Sequence, residues 1–153
     1  MTGEELARDL AAELAREGFP RVPAQILMRL MVEPSGRLSA AGLAAALGLS
    51  PAAVSGGVRY LDVLRFIRID TVPGTRRHEY SLTAEPWYAG TLTQDRYASL
   101  RAMIERGLAG VEPGPARDRV AEMADFFRFL QAEMPRLHDR WRAERAAGGP
   151  GPS

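Results

Sequence analysis

The stretch LAAALGLSPAAVSGGVRYL, Leu43 to Leu61, decides the fold. Two short helical patterns flank three residues, Gly48, Leu49 and Ser50. A glycine one residue past the last apolar position is the usual helix-terminating residue, where a positive φ costs glycine least. Leu49 can plug the gap beneath the turn. Ser50 supplies an N-cap, and Pro51 sits where its missing N–H is no loss. On the second helix Val54, Val58 and Leu61 recur at i, i+4 and i+7, one buried stripe. The opposite side carries Ala52, Ser55, Gly56 and Arg59, so this helix is thin in side chains where it faces outward. Gly56 and Gly57 each weaken a helix by about 1 kcal/mol relative to alanine. Either they admit a neighbouring helix, or something large approaches the backbone from outside.

Beyond this pair the chain reads RFIRIDTVPGTRRHEYSL, Arg65 to Leu82. Phe66, Ile67 and Ile69 are strand formers, as are Tyr80 and Leu82 at period two. Between them VPGTRR is a Pro-Gly turn with two adjacent arginines. The reading is a two-stranded hairpin with a basic tip. A helix–turn–helix followed directly by such a hairpin is a winged helix, so the expected fold class is mainly α with a small β-hairpin wing and terminal dimerisation helices.

Upstream, Leu6, Leu10 and Leu14 predict a first helix from about Thr2 to Glu17, stopped by Gly18 and Pro20. Ile26, Leu27, Leu30 and Met31 predict a second from Arg21 to Glu33. EPSGR reads as a turn, and Ser39 caps a third helix ending at Leu47. Downstream, Tyr97, Leu100, Ile104 and Leu108 mark a helix from Leu92 to Val111, broken by EPGPA. The last helix, Ala116 to about Ala146, carries Val120, Met123, Phe127, Leu130, Met134, Leu137 and Trp141. Their spacing alternates three and four, a heptad pattern, and Pro135 is expected to kink the helix near Gln131. The chain divides into an N-terminal dimerisation helix (1–17), a winged helix–turn–helix (18–90), C-terminal dimerisation helices (91–147) and a disordered tail (148–153).

The 153 residues hold 46% hydrophobic residues and no cysteine, so an ordinary core is expected and no disulfide framework or thiolate metal site. No run of 18 apolar residues suggests a membrane span, and the acidic, amphipathic N-terminus is unlike an export signal. A cytoplasmic protein is expected. Net charge is +1, and all twenty basic residues are arginine. From Ser50 to Ser81 five arginines face three acids, a local +2. Arginine is the better bidentate ligand for phosphate and guanine, although a lysine-free, asparagine-free composition is also the mark of a GC-rich genome.

These features suit double-stranded DNA. The major groove admits one helix. The short side chains of Ala52, Ala53, Ser55 and Gly56 let the backbone approach base edges and phosphates, Ser55 can donate a hydrogen bond, and Arg59 reaches further. The helix start at Ser50 and Pro51 is placed for a phosphate. Thr75, Arg76 and Arg77 at the wing tip suit the backbone or a narrow minor groove.

RLSAAGLAAALGLSPAAVSGGVRYL with VPGTRRHEYSL closely resembles the winged-helix core of MarR-type bacterial transcription regulators. It looks most like the branch related to the glycine-betaine-synthesis repressor, common in actinobacteria, and RVAEMADFFRFLQAEMPRL resembles that branch's closing helix. The resemblance spans about Gly18 to Trp141. It implies a homodimeric transcriptional regulator whose first and last helices build the dimer, with Ser50 to Arg59 as the recognition face and Arg76 and Arg77 as wing contacts. One departure is Arg65, where the family usually has glycine. If that residue is left-handed, arginine costs about 1 kcal/mol more.

The apolar stripe of the last helix needs a partner surface, either this chain's own first helix or a second copy. A single winged helix binds too few base pairs for operator specificity, and two copies on a twofold axis read half-sites about one helical turn apart. The expected dimer contacts are Leu6, Leu10, Leu14, Val120, Phe127, Leu130, Met134, Leu137 and Trp141. In the family small molecules often bind between the dimer helices and the winged helix, so Trp87, Tyr88 and Tyr97 are candidate effector-binding residues. Their bland reading is packing at the hinge.

Catalysis is not expected. The two histidines, His78 and His138, stand apart, and no HExxH, GxSxG or phosphate-cradling glycine loop occurs. No cofactor or metal is expected. Glu4 and Glu5 read as partners of a helix dipole. The alternative to DNA binding is a winged helix that docks a protein.

Overall fold

A computed structural model describes residues 1–90 and 97–148. The elements run α1 (Gly3–Arg16), α2 (Arg21–Val32), β1 (Arg37–Ser39), α3 (Ala40–Leu47), α4 (Pro51–Val63), β2 (Ile67–Thr71), β3 (His78–Leu82), α5 (Trp87–Gly90), α6 (Ala98–Leu108) and α7 (Pro115–Gly148). They form two compact units, Met1–Trp87 and Tyr88 onward, with the boundary inside α5. The fold is mostly helical with a small antiparallel sheet as the wing.

In the first unit α1 opens with a capping box. The Thr2 hydroxyl accepts from the Glu5 N–H, and the Glu5 carboxylate accepts from the Thr2 N–H. The paired hydrogen bonds hold the Glu5 carboxyl below the usual carboxylate range. Ala7 and Ala11 bury against the rest of the unit, and their small size lets α1 lie close to α2. The core proper is Ile26, Leu27, Leu30, Leu43, Val54 and Leu61. Each fully buried aliphatic chain contributes roughly 1.5–3 kcal/mol of transfer free energy.

The turn between α3 and α4 matches the sequence reading. Gly48 is left-handed (φ 62°, ψ 36°). Ser50 accepts the Ala53 N–H at 3.1 Å, with Pro51 in the first turn of α4. The two helices are bent by 112° at this break, within the usual helix–turn–helix range.

The wing differs from a two-stranded hairpin. β1 adds a third strand, and the order is β1-β3-β2, all antiparallel. Arg37 pairs with Ser81 and Ser39 with Glu79. Three residues are too short to show a period-two pattern, and they sit against the Ser39 helix cap, so the sequence there reads as turn. Tyr80 lies in the middle of this sheet, and its burial pushes the phenol upward.

In the second unit α6 packs along α7. Ile104, Ala124 and His138 are the buried side chains of these two helices. Arg128 ties them together, donating to Glu105 at 2.9 Å and to Asp125 at 2.5 Å. The start of the helix expected from Leu92 and the tail after Gly148 lie outside the described residues. The short helix α5 was not foreseen, and Pro135 sits inside α7, which stays helical through it. No helix among the described residues is long and apolar enough to cross a membrane by itself.

Candidate nucleic-acid interface

The α4 helix has two faces. Val54, Gly57, Val58 and Leu61 are buried, while Pro51, Ala52, Ser55, Gly56 and Arg59 are exposed and Ala53 is half-buried. The two glycines have different reasons. A Cβ on Gly57 would lie 2.5 Å from Ile26 Cδ1 and 3.0 Å from Val22 Cγ1, so Gly57 is bare because α2 crosses there. A Cβ on Gly56 meets nothing within 4 Å. The outward flank is therefore open by residue choice and not by internal packing.

At the start of α4 the cap takes part of the phosphate-binding capacity expected there. Pro51 has no N–H, the Ala53 N–H is bound by Ser50, and the Val54 N–H by the Ser50 carbonyl. The Ala52 amide is the one left without a protein partner in that turn. The Ser55 hydroxyl and the Arg59 guanidinium form no hydrogen bond or ion pair with the rest of the protein.

The wing tip is a Pro-Gly turn. The Thr75 N–H donates to the Val72 carbonyl at 3.1 Å, and Gly74 takes φ 76°, as the second central residue of such a turn requires. Thr75 is bound into this turn: its hydroxyl donates to the Val72 carbonyl at 2.9 Å and accepts from the Arg77 N–H at 3.2 Å. Arg76 and Arg77 are exposed and unpaired. The strand arginines behave otherwise. Arg68 lies 3.2 Å from Asp70, and Arg37 lies 3.7 Å from Glu79. Arg59 on α4 and Arg76 and Arg77 at the tip are thus without an ion pair, as are Arg8, Arg21 and Arg65 elsewhere in the unit.

The left-handed conformation that the sequence raised for Arg65 is present, whereas Val63 and Tyr60 beside it were not foreseen. Arg65 is the one left-handed non-glycine residue among those described (φ 59°), and its side chain is exposed and unpaired. Val63 is 76% exposed at the end of α4, and Tyr60 stands edge-on to Phe19 at 5.7 Å. An exposed apolar residue off the buried stripe was the signal for Val63.

The expected dimer contacts fall on partly open faces. On α1, Leu6 and Leu10 are exposed and Leu14 is half-buried. On α7, Val120, Phe127, Leu130, Met134 and Trp141 are half-buried and Leu137 is exposed. Within its own unit α7 buries Ala124 and His138 instead of the heptad stripe. Phe126 and Phe129, which the heptad pattern leaves out, are more than half exposed. The three candidate effector-binding rings each have a different aromatic neighbour. Trp87 lies 5.7 Å from Phe66, Tyr88 meets Trp141 edge-on at 6.3 Å, and Tyr97 stacks on Phe127 at 5.1 Å.

Residues 85–144 match the family described as MmpR5-like MarR family transcriptional regulator. The crystal structure of a transcriptional regulator superposes with a TM-score of 0.81 and 25% identity, over 94% of this chain and 99% of its own. The MarR family regulator Sco3205 of Streptomyces coelicolor in complex with DNA is 21% identical with a TM-score of 0.44, over 99% of this chain and 84% of its own. The S. aureus MepR–DNA complex is 18% identical, also with a TM-score of 0.44, over 83% and 91%. No curated protein matches the chain in sequence. The chain thus has a winged-helix fold and is similar, over residues 85–144, to MarR family transcriptional regulators.

Proposed function

We propose that the protein is a sequence-specific regulator of transcription, a repressor that binds double-stranded DNA as a homodimer. Each subunit lays the outer face of α4 in the major groove and sets its wing on the backbone or minor groove. The observation that carries this reading is the open α4 flank: Ser55 and Arg59 have no protein partner, and nothing approaches Gly56. Unpaired Arg76 and Arg77 at the tip support it. In the groove Arg59 reads a base edge, with guanine the geometric match for a guanidinium. Arg76 and Arg77 neutralise phosphates and carry no sequence information.

Homodimerisation through the terminal helices belongs to the same proposal. Leu6 and Leu10 on α1 and Phe126, Phe129 and Leu137 on α7 are exposed apolar side chains, and large exposed apolar patches mark interaction sites. A small-molecule effector acting through Trp87, Tyr88 and Tyr97 is also retained within it.

The test is capture of genomic fragments by the purified protein, followed by titration of the enriched fragment at several salt concentrations. The expected result is nanomolar binding that falls steeply with salt. Arg76→Ala should weaken binding to every sequence and lower the slope of log K against log salt by about 1. Arg59→Ala should also relax discrimination at the base it contacts, by roughly 1–3 kcal/mol. No enriched fragment, with a protein captured in its place, overturns the proposal in favour of a protein-docking winged helix.

A further inference from the structure

β2 is an edge strand. The sheet order β1-β3-β2 leaves one side of it without a neighbouring strand, and Arg68, Ile69, Asp70 and Thr71 are exposed. The ladder with β3 fixes which backbone groups lie on that side. The Val72 N–H donates to the Arg77 carbonyl, and the Thr83 N–H donates to the Phe66 carbonyl. In the register that pairs Ile69 with Tyr80, the even-numbered residues of β2 therefore turn their N–H and C=O groups to β3. Ile67, Ile69 and Thr71 turn theirs away. No protein group among those described bonds to this outward set. Such an edge is a template for another strand unless its side chains forbid the pairing.

The side chains here select a copy of the same strand, in one register. Antiparallel self-pairing forms hydrogen bonds only where two outward-turned residues oppose each other. Opposing Ile69 with Ile67 of a second copy sets Arg68 against Arg68. Opposing Ile69 with Thr71 sets Asp70 against Asp70. Opposing Ile69 with Ile69 sets Arg68 against Asp70 at both ends and gives the longest overlap. Arg68 and Asp70 then occupy non-hydrogen-bonded positions, where facing side chains come closest. On the other face the Ile69 side chains, each 41% exposed, cover one another. Asp70 also has use for a second cation. It sits beside Glu79 in the ladder, a like charge, and its contact with Arg68 of its own chain, at 3.2 Å, engages one carboxylate oxygen.

We propose that the β2 edge is a docking site for the β2 edge of a second copy of this chain, paired antiparallel about Ile69. The contact is isologous, each strand giving the other the same residues. It is short, and so weak between molecules free in solution. None of its residues belongs to α1 or α7, so one molecule can use this edge together with the contacts proposed for the terminal helices. In the DNA-binding reading, molecules held on neighbouring sites meet at a raised effective concentration, and the edge contact makes their binding cooperative. That consequence rests on the DNA-binding reading, whereas the pairing itself does not.

The chain has no cysteine, so one introduced thiol reports the contact. Opposed Cα atoms of a hydrogen-bonded pair lie about 5.5 Å apart, within disulfide range. In the proposed register the two copies of residue 71 are offset by four positions, about 14 Å, and are out of range. Full-length Ile69→Cys, oxidised with copper phenanthroline in the absence of DNA, should form disulfide-linked dimers at least 10-fold faster than Thr71→Cys. Both positions are exposed, so random collision links them equally. Added to Ile69→Cys, Arg68→Asp and Asp70→Arg should each slow linkage on the order of 10-fold, because symmetry turns both facing pairs into like charges. An equimolar mixture of these two proteins should link unlike chains at the parent rate, and the same mixture built on Thr71→Cys should not. Neither chain in the mixture regains the Arg68–Asp70 contact within itself, so recovery reports matching between chains. Absence of linkage in Ile69→Cys, equal rates for Ile69→Cys and Thr71→Cys, charge variants as fast as the parent, or a mixture no faster than its components overturns the proposal. Because no DNA is present, these failures are separate from failure of the DNA-binding reading.

Discussion

Gly56→Ala and Gly57→Ala change adjacent residues of one helix and should move stability in opposite directions. Alanine is about 1 kcal/mol better than glycine inside a helix, and both variants gain that amount. At position 56 nothing else changes, because the added methyl meets no atom within 4 Å. The expected result is a gain of about 1 kcal/mol, or a Tm higher by roughly 2–4 °C for a chain of this size. At position 57 the new methyl falls 2.5 Å from Ile26 Cδ1 and 3.0 Å from Val22 Cγ1. Ile26 is fully buried and cannot swing into solvent, and valine is stiff at χ1. Overpacking of this kind costs about 1–3 kcal/mol, so the net change is a loss of about 1 kcal/mol and the two variants differ by about 2. Reversible urea unfolding by linear extrapolation measures both, at one protomer concentration because a dimer's stability depends on it. A Gly57→Ala protein as stable as Gly56→Ala would refute the argument that α2 is what keeps Gly57 bare.

The larger substitution Gly56→Leu should leave folding intact yet weaken DNA binding at least 10-fold, because it thickens the flank that enters the groove; unchanged affinity in a gel-shift titration would show that this flank does not face DNA. Arg65→Gly should stabilise by about 0.5–1 kcal/mol, since a left-handed arginine gives up about 1–2 kcal/mol and glycine returns part of that as backbone entropy; chemical denaturation checks the sign. Leu10→Glu and Phe129→Glu should each lower the dimer fraction in sedimentation equilibrium, whereas Arg16→Gln, about 120° around α1 from Leu10, should not. The Ser35 hydroxyl first, then the Ser35 backbone N–H and the Arg29 guanidinium, hold the Glu33 carboxyl below its ordinary value of 4.5. A depressed carboxylate stabilises the fold above the unfolded value and loses that contribution as pH falls through the folded value. Ser35→Ala should therefore be less stable than the parent at pH 7, with the gap closing below about pH 4 in the same assay.

The turn into α4 was legible because each of its residues has one structural use. Gly48 supplies the positive φ, Ser50 the cap and Pro51 the first turn, and none of these depends on distant parts of the chain. The wing turn was legible for the same reason, through Pro73 and Gly74. The features that stayed hidden depend on tertiary neighbours. β1 is three residues paired to a strand some forty positions later, with no periodicity of its own. The reason for Gly57 is Ile26 and Val22, and no local pattern separates it from Gly56. On α7 the heptad spacing was correct as arithmetic, but Ala124 and His138 are the residues the unit buries. An alanine and a histidine give no apolar signal, although they mark where α6 comes close. Of the expected interface, the exposed positions on α4 and the unpaired wing arginines are where the sequence placed them. Thr75, by contrast, is bound into the wing turn, and most of the amides at the start of α4 are already taken.

These two groups of residues explain how α4 can afford so bare an outer face. Two glycines remove about 2 kcal/mol of helix propensity from a helix of 13 residues. The Ser50 cap restores about 1 kcal/mol, and the burial of Val54, Val58 and Leu61 exceeds the remainder several times over. The helix is thus held from its inner face and its N-terminus, and neither involves Ala52, Ser55, Gly56 or Arg59. Side chains on the outer face can change without loss of the fold, apart from the modest propensity term at Gly56. In the DNA-binding reading this is where operator preference is set, so exchanging Ser55 and Arg59 together should redirect sequence preference at unchanged stability. The same exchange at Val54 or Val58 should unfold the first unit before any preference can be measured.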